Sequence, residues 1–212
     1  MFREEIYFKL TFVMILYMRL FSEAHAVSDI CTKCNCNEGE IYCAFLKLTS
    51  VPNETIPINA RSLDLGQNKI TNIAKETFQN LTSIKTLNLY YNEITNIEEG
   101  PFQNLASLKE LNLNGNSITN IAERAFENLT SLEILSLNNN QVKEIKERTL
   151  RNLTNLKELW LANNKIMTIE QGTFKDLTNL KIIELSTNKF TNILEHTFQD
   201  LTSLENLLKI EW

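Results

Sequence analysis

Histidine, proline and glycine are scarce in this 212-residue chain, and each shortage closes off a class of function. With five glycines and three prolines there is no room for long flexible linkers, and no glycine-rich loop to cradle phosphate. Only one of the two histidines, His196, lies beyond the first 26 residues, so neither a histidine-based catalytic pair nor a histidine metal set can be assembled. Cysteine is confined to Cys31, Cys34, Cys36 and Cys43 and is missing everywhere else. The net charge of -5 is modest and reads as spread along the chain, with no basic stripe to neutralise phosphates, so nucleic acid is not an expected partner. Long apolar runs are lacking too. The stretch from Leu10 to Phe21 is broken by Arg19 and falls short of the roughly 20 residues a spanning helix needs. An enzyme is not expected, and no cofactor or metal is required. What remains, 43% hydrophobic and 22% charged, has the composition of an ordinary folded protein.

What is present in excess is a repeat. Steps of 24 residues from Asn68 land on Asn92, Asn116, Asn140, Asn164 and Asn188 without an insertion or deletion. Apolar columns keep the same step: Leu63, Leu87, Leu111, Leu135, Leu159 and Ile183; leucine at 65, 89, 113, 137, 161 and 185; and Ile70, Ile94, Ile118, Val142, Ile166 and Phe190. Isoleucine recurs at 73, 97, 121, 145, 169 and 193, and the phenylalanine column is 78, 102, 126, 174 and 198 with Leu150 in its one gap. The x-L-x-L-x segment alternates with period two, so it predicts a short strand whose leucines enter a core while the intervening side chains face out. The return half lacks helical periodicity and should be irregular or contain short 3₁₀ turns. One turn alone buries too little to offset the entropy of ordering 24 residues, so stacking is obligatory. The asparagine amide offers donors and an acceptor. Buried at the strand's exit, it can satisfy backbone groups that leave the ladder, and all six asparagines are therefore read as structural.

The form L-x-x-L-x-L-x-x-N-x-L at this period resembles the leucine-rich repeat. The resemblance implies an α/β-class, right-handed solenoid or horseshoe, with a parallel β-sheet on its concave face and a mostly irregular or 3₁₀ convex side. Its uniform 24-residue length is similar to repeats of extracellular proteins such as Toll-like receptors, Slit proteins and variable lymphocyte receptors. The implied division is residues 1–26 as a signal peptide, 27–59 as a cysteine-rich cap, 60–203 as six repeats and 204–212 as an incomplete last repeat.

The amino terminus supports export. A short charged start precedes an apolar LTFVMILYM, and Ala24-His25-Ala26 offers a small-x-small cleavage pattern, so the mature chain is expected to be secreted with no membrane span. In that compartment the C-x2-C-x-C-x6-C cluster reads as a disulfide framework rather than zinc, with three pairings open. The spacing, followed by Leu48-Thr49-Ser50-Val51-Pro52, resembles the amino-terminal cap of extracellular leucine-rich-repeat proteins. That likeness implies Cys31 to Cys36 and Cys34 to Cys43. A cap is needed because the first turn of a solenoid has a bare apolar flank.

Four sequons, at Asn53, Asn80, Asn128 and Asn152, are glycan acceptors placed away from the sheet. On the sheet face most outward positions are small and polar, from Ser62, Asp64, Gly66 and Gln67 in the first turn to Ile182, Glu184, Ser186 and Thr187 in the sixth. Trp160 stands out, with Ser136 and Glu184 beside it, Ile134 and Ile182 on its diagonals, and Glu158 at its rim; Tyr90 and Tyr91 form a second aromatic spot. Exposed aromatics with a polar rim are the composition of binding hot spots. At the far end Lys209 and Trp212 break the frame, and the alternation of Leu208, Ile210 and Trp212 suggests a final strand slipped by one residue. No second cysteine cap follows, so self-association through an open carboxy-terminal flank is a further expectation. The sequence thus points to a secreted, receptor-like module that binds an extracellular protein. The alternatives are a matrix-type structural protein, an enzyme inhibitor and the truncated ectodomain of a single-pass receptor.

Overall fold

The computed structural model describes residues 29–52, 55–193 and 196–208. The segment read as a signal peptide, the acceptor Asn53 and residues 209–212 lie outside the described residues.

The first element among the described residues is one 3₁₀ turn, Ile30–Thr32, capped by Asp29, whose Oδ1 accepts the Cys31 N–H at 3.0 Å. A hairpin follows, β1 (Asn35–Asn37) and β2 (Glu40–Tyr42). Its two linking residues, Glu38 and Gly39, have φ of 47° and 88°, the left-handed pair that a two-residue hairpin turn demands. Disulfides Cys31–Cys36 and Cys34–Cys43 tie the turn to the hairpin, and no cysteine is left to hold a metal.

Each repeat then supplies a three-residue strand, and four of them add a two-residue strand on the return. In chain order these are β3 (Ser62–Asp64), β4 (Thr86–Asn88), β5 (Asn96–Ile97), β6 (Glu110–Asn112), β7 (Asn120–Ile121), β8 (Ile134–Ser136) and β9 (Glu144–Ile145). They continue as β10 (Glu158–Trp160), β11 (Thr168–Ile169), β12 (Ile182–Glu184) and β13 (Asn206–Leu208). One sheet runs β1-β2-β3-β4-β6-β8-β10-β12-β13, parallel throughout except for the β1–β2 edge. Its register follows the 24-residue step, Leu63 opposite Leu87 and Leu87 opposite Leu111.

The return side is mostly irregular, and it adds two small parallel ladders that the sequence did not announce, β5 with β7 and β9 with β11, placing Ile97 beside Ile121 and Ile145 beside Ile169. The cause is the constant repeat length, which keeps β-branched residues in register on both sides of the coil, so neighbouring return segments fall within bonding distance. Among the described residues there is no α-helix.

The inward columns form one continuous core. Phe78, Phe102 and Phe126 stack with ring centroids 6.1 and 6.2 Å apart, and Phe174 and Phe198 at 5.6 Å. Leu150 fills the gap between the two stacks and is itself buried. Burial weakens in the last turns: Phe190, Ile193 and Phe198 are only partly covered, although their columns read as uniformly inward. In the last strand Asn206, Leu207 and Leu208 pair in frame with Ile182, Ile183 and Glu184, and the rest of the stretch read as slipped, Ile210 and Trp212, lies outside the described residues.

Candidate functional site

The sheet face is a grid whose rows are turns and whose columns are strand positions. Along each of β3, β4, β6, β8, β10 and β12, the buried residue at the centre, leucine or in β12 Ile183, is flanked by two half-buried outward residues. After the strand every turn bends through one residue in the left-handed region: Gln67, Tyr91, Gly115, Asn139, Asn163 and Thr187, with φ between 47° and 69°. Glycine and asparagine tolerate that conformation, whereas the bulky Tyr91 and the β-branched Thr187 hold it at a cost of about 1 kcal/mol or more.

The bend is possible because the next residue is the asparagine. In Asn116 the amide nitrogen donates to the carbonyls of Leu89 and Leu113 at 3.0 Å each, while Oδ1 accepts the Ile94 N–H at 3.1 Å. Asn92, Asn140, Asn164 and Asn188 repeat the pattern. These amides are engaged by backbone groups of their own turn and the turn before.

The outward side chains sort into two aromatic patches. Glu158 lies between Ile134 and Ile182 in the parallel register, and Trp160 between Ser136 and Glu184. The indole N–H of Trp160 donates to Glu158 Oε2 at 3.1 Å, so the ring is held by its own strand, half-buried, with its polar atom already satisfied. Glu184 is partly committed, Oε1 accepting the Ser186 N–H at 2.8 Å, as Asp64 and Asn112 do for Gly66 and Asn114. Tryptophan cannot accept in that way, and Asn138 of the preceding turn takes the Ala162 N–H at 2.7 Å.

Tyr90 and Tyr91 meet edge to face with centroids 5.9 Å apart. They reach opposite ways along the solenoid. A Cβ added at Gly66 would lie 2.3 Å from the Tyr90 ring, and one at Gly115 would lie 2.4 Å from the Tyr91 ring. Two glycines that look like ordinary exposed face positions are thus seats for the two rings, which is why Gly66 is covered; Ala162, at the position of Gly66 four turns on, is buried as well. Tyr91 remains half exposed. Partial burial, and then the charge of Asp64, raise the Tyr90 pKa above its ordinary 10, so the phenol is a neutral donor at physiological pH. The tyrosine and tryptophan patches are three turns apart along the sheet, about 14 Å at strand spacing, and do not merge into one spot.

Sequence reading missed the charged edge. Arg61, Lys85, Lys109, Glu133, Lys157, Lys181 and Glu205 share one column at the start of the strands, each backbone N–H donating to the carbonyl of the residue one turn before. Five cations that look dispersed in the linear chain become a line, visible beforehand only by reading every 24th residue from Arg61. Two carboxylates interrupt it. Glu133 receives Lys109 Nζ and Lys157 Nζ at 2.6 Å each, and these bonds pull its pKa from 4.5 to about 2. Lys181 binds Glu205 at 2.7 Å.

The sequon residues sit on the turns off the sheet. Asn80, Asn128 and Asn152 are all exposed, and the latter two have φ of 72° and 64°, a structural reason for asparagine that is independent of any sugar. Among the described residues no group of three or more His, Cys, Asp or Glu could hold a metal, and no helix is long and apolar enough to cross a membrane.

Two family models match the chain: a leucine rich repeat over residues 58–118, and a BspA type leucine rich repeat region of six copies over residues 102–208. Among solved structures the chain is similar to one in the octameric complex of Latrophilin 3 (Lec, Olf), Unc5D (Ig, Ig2, TSP1) and FLRT2 (LRR), at 30% identity and a TM-score of 0.64. The match covers 81% of this chain and 59% of that one, so this chain spans less than two thirds of the length of its structural relative.

Proposed function

We propose, from the premise that this chain belongs to the leucine-rich repeat family, that it is a secreted interaction module whose sheet face recognises an extracellular protein. The observation that carries the reading is the Trp160 patch. Its indole N–H is engaged by Glu158, so the exposed part of the ring, with Ile134 and Ile182 on its diagonals, is an apolar surface ready for burial, with Ser136, Glu158 and Glu184 as its polar rim. Tyr90 and Tyr91 supply a second anchor, and the strain held at Tyr91 fits a residue kept for contact rather than for stability. The likeness to a leucine-rich-repeat chain found in a complex with other proteins supports a protein partner, and the cap disulfides support an oxidising compartment.

Glycans at Asn80 and Asn128 belong to the same proposal, since both residues are exposed on turns off the sheet. A mass decrease on enzymatic deglycosylation tests that part.

The central test is capture of partners from extracellular fluid on intact and Trp160→Ala protein, followed by measurement of affinity for each partner identified. Loss of a central aromatic anchor should weaken binding by about 2 kcal/mol or more, roughly thirtyfold. Unchanged affinity for every captured partner would remove the sheet face from the proposal. Sedimentation of the two proteins alone separates partner binding from self-association through the carboxy-terminal flank.

A further inference from the structure

Away from the sheet, a groove of about 240 Å³ is lined by Arg124, Glu127, Arg148, Arg151 and Asn152. The chain has six arginines, four of them among the described residues, and three of those four converge here. The repeat arranges this. Arg124 and Arg148 are one 24-residue step apart and so occupy the same position in adjacent turns, while Arg151 is three residues beyond Arg148 in the same turn segment. The one carboxylate lining the groove is committed loosely, Glu127 Oε1 standing 3.6 Å from an Arg124 amino group. Asp176 borders it through the bond from the Asn152 N–H to Oδ2, at 3.0 Å. Among the described residues neither Arg148 nor Arg151 forms an ion pair, so their forks face the groove uncommitted.

Three guanidinium groups against one lining carboxylate leave a local charge of about +2 on a molecule whose net charge is -5. Planar forks lining one groove suit a tetrahedral oxyanion, which accepts paired hydrogen bonds from guanidinium groups. Lysines, by contrast, populate the sheet edge, where Glu133 and Glu205 already pair with three of them. We propose that this groove binds an oxyanion ester, either a phosphate monoester or the sulfate esters of a polysaccharide, independently of the sheet face.

The experiment uses purified full chain carrying Thr154→Ala, which removes the sequon so that no sugar on Asn152 blocks the groove. Binding of a heparin-derived hexasaccharide, its desulfated counterpart and inorganic phosphate is measured at physiological salt, on this protein and on Arg148→Gln/Arg151→Gln and Arg124→Gln versions. The expected result is binding of the hexasaccharide or of phosphate, none of the desulfated sugar, and a loss of about tenfold or more in the double variant, at unchanged melting temperature. Whichever oxyanion binds identifies the source. A Lys85→Gln/Lys109→Gln control should leave the affinity within about twofold. The proposal is overturned by binding that survives both arginine variants, by binding lost only in the lysine control, or by the failure of every oxyanion to bind. Should the double variant melt early, Arg124→Gln alone decides, since its side chain is largely exposed.

Discussion

The two ends of the solenoid carry the same asparagine and differ in what surrounds it. Asn68 opens the column and has no earlier repeat to bond, yet its amide is fully engaged: Oδ1 accepts the Leu46 and Leu48 N–H groups at 3.0 Å, and Nδ2 donates to Cys43, Leu65 and Gly66 carbonyls. The cap is therefore a turn in disguise. Ile41 stands opposite Leu63 at a step of 22 rather than 24 (63 − 41 = 22), and Cys43, fully buried, follows it as Leu65 follows Leu63. At the other end Asn188 makes all the backward bonds of its predecessors, to Ile166, Leu161 and Leu185, but remains partly exposed. The comparison separates two properties that look like one: an asparagine's hydrogen bonds, which reach its own strand and the turn before it and are complete at both positions, and its burial, which is not.

The largest test of that separation is the cap. Replacing Cys34 and Cys43 together by serine should cost about 2–5 kcal/mol and release the first turn, because the bridge holds β2 in place beneath Asn68. Denaturant unfolding followed by amide exchange at Leu65 and Ile70 would show it; unaltered protection there would mean that the hairpin alone suffices.

Next comes the asparagine column itself. In Asn116→Ala the Ile94 N–H and the Leu89 and Leu113 carbonyls lose a partner in a dry interior, a loss of about 2–3 kcal/mol. At Asn188→Ala the freed groups can reach water, and about 1 kcal/mol is expected. Equal unfolding midpoints for the two variants would break the distinction between the ends.

The smallest effect concerns charge. Glu133 in mid-solenoid is clasped by two lysines, whereas Glu205 near the end meets one. A carboxylate whose folded pKa is depressed contributes stability at pH above its unfolded value, here 4.5, and loses it as pH falls through about 2. The glutamate is partly solvated, so the contribution is slight, but Glu133→Gln should flatten the stability profile between those limits. Thermal melts across that range measure it.

Much of this molecule could be read from its order of residues. A fixed step with leucine, isoleucine, phenylalanine and asparagine in constant places specifies a stacked parallel sheet, since only in-register stacking buries every column at once. The amide chemistry of asparagine likewise dictates a backbone role at a recurrent inward position. Features that depend on contacts between turns were hidden. Nothing local in Gly66 or Gly115 says that a tyrosine from the next or the previous turn lies on it. Nothing in Arg124, Arg148 and Arg151 says that they line one groove. Trp160 could be picked out as an exposed aromatic, but its tether to Glu158 is a matter of rotamer and could not.

Period and composition thus determine the coil, because every turn solves the same burial problem with the same side chains. Tertiary structure decided the rest: how the ends differ, which outward residues are free and which are occupied, and where charges 24 positions apart become neighbours. The physical reason is that inward positions repeat one environment that the sequence can state once, while each outward position takes its character from the turns on either side.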